Sequence, residues 1–441
     1  MSEVRAYRAG VVHCLDDPRA AGARAVAHHA DGLLLVEDGH IAACGDWAAL
    51  APRLPRGVVV EDLRGRLLCP GFVDAHVHLP QIDMMGAFGG QLLDWLEAHT
   101  FPAERAFADR AHADAAAGAF LDELLRNGTT TAMVFGSVHA ASVEALFTAA
   151  LGRGMRLIAG RSLMDLGPPD LRDTAEGGRA ADEALIAAWR GRGRLGYAVT
   201  PRFALTSSRA QLAAAGAVLA RHPDVWMQTH LAENPREVEA VRAAFPEAAD
   251  YLDVYDRHGL VGERSVFAHC LHCTDRSLHR LAEAGAAIAH CPTSNLFLGS
   301  GLFDLARADG HGVRVALGTD VGAGTSFSIP ATAGRACDVA QLKGGPLDPL
   351  RAFYLATLGG ARALRLDHRV GSFAVGAEAD FVALDPAATP LLARRLGKAT
   401  DIREILFALM ALGDDRVVAR TWLAGREAHV RDRRPNVVAA P

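Results

Sequence analysis

Lysine is nearly missing from this chain: Lys343 and Lys398 are the only two, so almost all of the 46 basic residues are arginine. Other absences exclude whole classes of function. No run of about 18 apolar residues is present, so no segment reads as a membrane-spanning helix. There is no basic stripe or tail, and the net charge is −5 with both signs interspersed, so nucleic-acid binding has no electrostatic footprint. The opening residues, MSEVRAYRAG, lack the charged-then-apolar layout of a secretory leader. Seven cysteines, an odd number scattered over 441 residues, argue for reduced thiols in a cytosolic setting rather than a disulfide framework. No GxxxxGK[ST] phosphate loop, fixed-period repeat or low-complexity linker occurs.

What is there suits a large core: half of the residues are hydrophobic and 22% are charged. The length fits one large barrel with an accessory domain. The two ends resemble each other in style. Short β-like runs lie at 8–14, 32–36, 40–44 and 58–62, and again at 380–384, 417–423 and 427–430, punctuated by glycine turns. They read as one small β-sandwich built from both termini, residues 1–68 plus 372–441. Between them, residues 69–371 alternate apolar strands with alanine-rich helices. The strands are 72–77, 129–135, 156–163, 196–200, 225–229, 265–268, 287–290 and 315–319. The helices are 104–126, 140–153, 180–190, 208–220, 235–244, 275–284 and 301–309. Eight such alternations predict an α/β fold, a distorted (β/α)₈ TIM barrel, which typically takes about 250 residues.

The chemistry concentrates where such barrels place it, at the C-terminal ends of strands. The first strand ends in HVH. Residues i and i+2 of a strand share a face, so His76 and His78 aim into one space, as a shared metal requires. An isolated H-x-H is as readily a surface accident or a satisfied core pair, but here further ligand types follow at other strand ends. His230 follows the strand at 225–229, His269 the one at 265–268, and Asp320 the one at 315–319. Imidazole suits zinc and iron alike.

The stretches PGFVDAHVHLPQ (70–81), LLDWLEAHTFPAE (92–104), TPRFALTSS (200–208), THLAEN (229–234), FAHC (267–270), IAHCPTSNLFLGSG (288–301) and LGTDVGAGTSFS (317–328) resemble the amidohydrolase superfamily. Within it they are most similar to the metal-dependent guanine deaminases. H-x-H marks only the superfamily; TPRF, and a glutamine three residues after the second histidine, are more specific. The resemblance implies one zinc ion per chain, with iron as an alternative, on His76, His78, His230 and Asp320, leaving one ligand position open as in catalytic zinc sites. It implies Glu233 as a proton shuttle, His269 and Asp320 as its catalytic partners, and Gln81, Arg202 and Phe203 as the binders of the base, with His230, Glu233 and Asp320 also touching it. For Glu233 the plain alternative is a solvated loop or helix-start glutamate. For Arg202 it is a salt-bridged arginine of the barrel rim, and for Gln81 a polar loop residue. The implied reaction is hydrolysis of guanine to xanthine and ammonia. Deamination or dechlorination of 8-oxoguanine, cytosine or an aminotriazine is the alternative, and a metal-free scaffold a more remote one. The resemblance also implies a cytoplasmic homodimer acting on a free purine base.

Two-metal members of the superfamily resemble one another in a carboxylated lysine or other bridging ligand after the fourth strand. Here Thr200-Pro201-Arg202 occupies that place and both lysines lie far downstream. Cys270-Leu-His-Cys273 lacks the second pair that a structural zinc site needs, and the H-x-E with P-C-x-x-C signature of the other zinc deaminases is absent. Cys270 and Cys291 read as strand-end packing residues. Met84-Met85 and Gly89-Gly90 read as part of a mobile loop bordering the pocket. Elemental analysis of the purified protein is expected to find one tightly held ion per chain; two would overturn the single-metal reading.

Overall fold

The alternation of β-prone runs with alanine-rich stretches finds its physical outlet in parallel strands joined by helical crossovers. The computed structural model describes residues 3–432; residues 1–2 and 433–441 of the predicted terminal unit lie outside the described residues. The chain begins with β1 (Val4–Cys14), β2 (Val26–Glu37), β3 (His40–Asp46) and β4 (Val60–Pro70). The barrel follows: β5 (Phe72–His78), β6 (Thr129–Phe135), β7 (Arg156–Gly160), the short β8 (Ser162–Leu163), β9 (Leu195–Pro201), β10 (Trp226–Leu231), β11 (Ser265–His269), β12 (Ala287–His290) and β13 (Arg314–Leu317). The chain returns to the first sheet with β14 (Phe381–Leu384), β15 (Val418–Leu423) and β16 (Arg426–Val430).

Both ends of the chain therefore share one seven-stranded sheet, ordered β16-β15-β14-β4-β1-β2-β3. Only β1 and β4 pair in parallel; the remaining neighbours are antiparallel. Its core packs Tyr7, Phe381 and Trp422, with the Phe381 and Trp422 rings stacked 4.5 Å apart. Only Gly71 separates β4 from β5. A Cβ there would sit 2.1 Å from Thr130 Oγ1, so no other residue fits without a shift. Buried ion pairs hold sheet to barrel. Arg156, which opens β7, pairs with Glu378, and Arg194, just before β9, reaches Glu378 at 2.7 Å and Asp380 at 2.8 Å. Removing one member of such a group would strand a buried charge.

The barrel strands run parallel in the order β5-β6-β7-β9-β10-β11-β12-β13. The ring closes between its first and last strands through two backbone bonds, Asp320 N–H to His76 O at 2.9 Å and His78 N–H to Val321 O at 3.0 Å. The inner core is built from small residues, among them Ala75, Ala198, Ala287, Ala289 and Ala316, while Phe72 and Val77 face the outer cluster under the helices. Val73 and Ala75 point inward, yet so do His76 and His78. The register of β5 against β6 slips between Asp74 and Val77, and such a bulge re-aims the side chains after it.

Several elements differ from the sequence reading, and the following bear on the barrel and the second sheet. The helix expected over 104–126 starts at Arg110, because Asp109 accepts the Ala111 N–H at 2.9 Å and caps a new helix; a separate short helix, Phe101–Arg105, precedes it. The strand expected over 156–163 breaks at Arg161, beside Gly160, whose Cβ would fall 1.7 Å from Ala198 O. Pro390–Leu396 and Ile402–Leu412 are helices inserted between β14 and β15, in a region read only for its strands. No helix among the described residues is long and apolar enough to cross a membrane.

At the closure, Gly318 lies against the first strand: a Cβ would meet His76 Cβ at 2.8 Å and Cys291 Sγ at 3.0 Å. Gly318→Ala is expected to push His76 aside and weaken metal binding about 10–100-fold, measured by competition with a chromogenic chelator. Unchanged affinity would mean that the seam yields to a methyl group.

Candidate metal and active centre

Four side chains meet at the seam. His76 and His78 come from the end of β5, His230 from β10, and Asp320 from the turn after β13. His78 Nε2 lies 3.2 Å from both His76 Nε2 and His230 Nε2, and both His76 Nε2 and His78 Nε2 lie 3.2 Å from Asp320 Oδ1. The four ligand atoms all fall within 4.8 Å of one another. Tetrahedral zinc with bonds of about 2.0–2.1 Å has ligand–ligand edges of about 3.3 Å, so the donor set fits such an ion. The tautomer of His230 fits as well. Its Nδ1 donates to the Arg202 carbonyl at 2.6 Å, which turns the Nε2 lone pair toward the centre, the usual outer support of a ligating histidine. His78 Nδ1 has no such partner. Burial pushes the His78 imidazole down to about 3 and holds His230 well below its ordinary value, with the neighbouring histidines adding to the effect. Both rings are therefore neutral. Burial opposes ionisation of Asp320, but His76, His78 and His269 keep its carboxyl well below the usual range.

Asp74 ties the seam from behind. Fully buried, it accepts the Thr319 N–H at 3.0 Å, the Thr319 hydroxyl, and the His76 N–H at 3.2 Å. Non-glycine residues with positive φ gather here: Ala232 (50°), His269 (70°), Cys270 (55°) and Asp320 (52°). Such conformations persist only where the surroundings over-determine them.

Glu233 follows His230 after the strained Ala232. Its backbone N–H donates to Glu237 Oε2 at 2.9 Å, its Oε1 accepts from Ser300 Oγ at 3.2 Å, and its Oε2 lies 3.4 Å from His269 Nε2. Burial, followed by the charges of Asp320 and Glu237, holds the Glu233 carboxyl well above its ordinary value. His269 is fixed from its other side by Asn295 Oδ1, 2.9 Å from Nδ1, and its Nε2 lies 3.8 Å from Asp320 Oδ2. His269, Cys291 and Asp320 also form a close group, but burial raises the Cys291 thiol well above its usual value, so it stays protonated and apolar in behaviour.

Gln81, Arg202 and Phe203 line the same cleft as His78, His230, Glu233, His269 and Asp320. Gln81 lines the cleft, its Oε1 accepts from Gly322 N–H at 3.2 Å, and its side-chain amide also faces Glu104. Arg202 spends one nitrogen of its guanidinium inside the protein. Nη1 donates to the buried Glu104 at 2.5 Å, and the group lies 5.6 Å over the Phe101 ring. The salt-bridged alternative and the cleft-lining one thus both hold. Leu92, Trp95 and Leu96, from the segment after β5 that contains Gly89-Gly90, supply an apolar wall. Cys270 and Cys273 are buried.

Asp74, Glu104, Glu237 and Asn295 escaped the sequence reading. Glu237 carried a signal, since Asn234-Pro-Arg-Glu237 is a capping-box pattern, and both halves of that box form. Asp74 stood out as a carboxylate inside an apolar strand. Glu104 and Asn295 lay within stretches that carry the resemblance, but no local pattern singled them out, because their partners are distant in sequence.

Residues 67–428 match the amidohydrolase family. Over 433 residues the chain is 47% identical to the guanine deaminase of Escherichia coli K12, covering 98% of each. The solved structure of E. coli guanine deaminase superposes with a TM-score of 0.94 at 46% identity, covering 98% of this chain and 100% of that one. A guanine deaminase from C. acetobutylicum, solved with guanine bound in its active site, gives a TM-score of 0.88 at 26% identity over 96% of this chain and 100% of that one.

Proposed function

This chain belongs to the amidohydrolase family, and from that premise we infer that it is a hydrolase converting guanine and water to xanthine and ammonia. The observation that carries the reading is the meeting, in one buried cleft, of a four-ligand cluster, a carboxyl with raised proton affinity and unspent hydrogen-bond donors.

We assign a metal ion, zinc with iron as the alternative, to His76, His78, His230 and Asp320. Bound there, it would supply Lewis acidity and make water nucleophilic at neutral pH. The remaining steps belong to side chains. Glu233 takes a proton from the attacking water, helped by its hydrogen bond from Ser300 and the proximity of His269. As the C2–oxygen bond forms, Glu233 passes that proton to the ring nitrogen. His269, steadied by Asn295, stabilises the negative charge that develops on the oxygen added to C2. Asp320 Oδ2, turned toward His269, accepts the second proton of the water. That proton goes to the exocyclic amine, the C2–N bond breaks, and ammonia leaves.

Recognition follows from donor and acceptor patterns. Guanine presents N7 and O6 as adjacent acceptors, which the free donors of Arg202 and Gln81 match. Phe203 lies against the base. Adenine places an amine donor where guanine has O6, which leaves those donors unpaired, and such a mismatch can discriminate by about 10⁴–10⁵. We further propose a cytoplasmic homodimer, with residues 69–371 as the catalytic barrel and 1–68 plus 372–441 as its companion.

The test is ultraviolet assay of the zinc-loaded protein on guanine, with adenine alongside. Guanine turnover without adenine turnover is expected; a metal-loaded protein inert toward guanine would overturn the substrate. Glu233→Gln is expected to retain the ion and lose about 10²–10⁴-fold in kcat, and near-normal turnover would remove Glu233 from the proton path.

A further inference from the structure

Arg202 is a cation buried to 2% exposure, and its counter-charge does not come from a barrel strand. Glu104, fully buried on the short helix Phe101–Arg105, supplies it through one contact, Nη1 to Oε1 at 2.5 Å. Among the described residues this is the only hydrogen bond the guanidinium makes, so Nε and Nη2 remain unspent. Glu104 takes only this one bond from Arg202 and also faces the Gln81 amide, so the contact stays single-pointed and does not consume the fork. The Phe101 ring beneath the guanidinium limits its tilt. Every other charged group lining the cleft near the ligand cluster is acidic or a histidine: Glu233, Glu237, Asp320, His78, His230 and His269.

The proposed reaction turns a weakly acidic base into a more acidic one, because the carbonyl that replaces the amine at C2 stabilises the deprotonated ring. An unneutralised buried arginine would therefore hold the anionic product more tightly than the neutral substrate. Resting on the deamination reading, we propose that Glu104 is a positioning residue that neutralises Arg202 and fixes its free edge, so that the cleft takes neutral oxopurines and releases the xanthine anion. Glu104 touches neither base nor reacting atoms; it acts through Arg202.

The test compares wild type with Glu104→Gln, which keeps the shape and an acceptor for Nη1 but removes the charge. Binding of xanthine and of hypoxanthine, which presents the same N7 and O6 but ionises less readily, is measured by calorimetry on zinc-loaded protein below and above the pH at which xanthine loses its proton. In Glu104→Gln, xanthine affinity relative to hypoxanthine is expected to rise by about tenfold or more above that pH and to stay near the wild-type ratio below it. Metal content should be unchanged, and the KM for guanine should rise more than kcat falls. A purely structural role would shift both bases alike at every pH, and that result overturns the inference. Should Glu104→Gln not fold, Glu104→Asp keeps the charge with a shorter reach; it is expected to raise the KM for guanine while preserving the wild-type xanthine-to-hypoxanthine ratio, and a changed ratio overturns the inference. Wild-type protein that binds neither base overturns the deamination reading and this inference with it, whereas binding of both with no charge preference in the variant overturns this inference alone.

Discussion

The centre exists only because the first and last strands of the barrel bond to each other. Asp320 N–H on His76 O and His78 N–H on Val321 O are ladder bonds that close a ring of parallel strands, and the residues that make them are themselves ligands or neighbours of ligands. Closing a loop of some 240 residues carries a large entropic penalty in the unfolded chain. Packing of the helices and the outer core offsets that penalty and lets the four donor atoms meet. Asp74 reinforces the seam by binding both edges of it, and Gly318 leaves the room that the seam requires.

Most of this was legible in the chain. Strand ends at His78, His269 and His290 were readable within a residue or so because apolar runs stop where polar ligands begin. Helices such as Ala140–Arg153, Pro235–Ala244 and Asp275–Ala284 matched their patterns to the residue. What escaped is long-range. That Glu104 answers Arg202 across 98 positions cannot be read from periodicity, because nothing local distinguishes that glutamate from any other. The bulge in β5 is equally silent: H-x-H says that two histidines share a face, but not that the parity of the strand changes just before them. The break at Asp109 was readable in principle, since aspartate ahead of a helical run is a cap, and alanine-rich flanks masked it.

The terminal sheet serves the same end from the far side of the barrel. With one glycine between β4 and β5, and with Glu378 and Asp380 set against Arg156 and Arg194, the sheet cannot swing freely relative to the strands it precedes. The arginine-rich composition is used here: planar guanidinium groups can bridge two carboxylates at once where a lysine offers a point charge, and Arg194 does so.

Residue 202 serves two masters by two different parts of itself. Its carbonyl orients His230, while its side chain faces the cleft. The backbone part is indifferent to which amino acid stands there. A change at position 202 that also answers Glu104 would therefore alter what the cleft accepts without removing the bond that orients the ion's ligand, so substrate choice and reactivity rest on separate atoms of one residue.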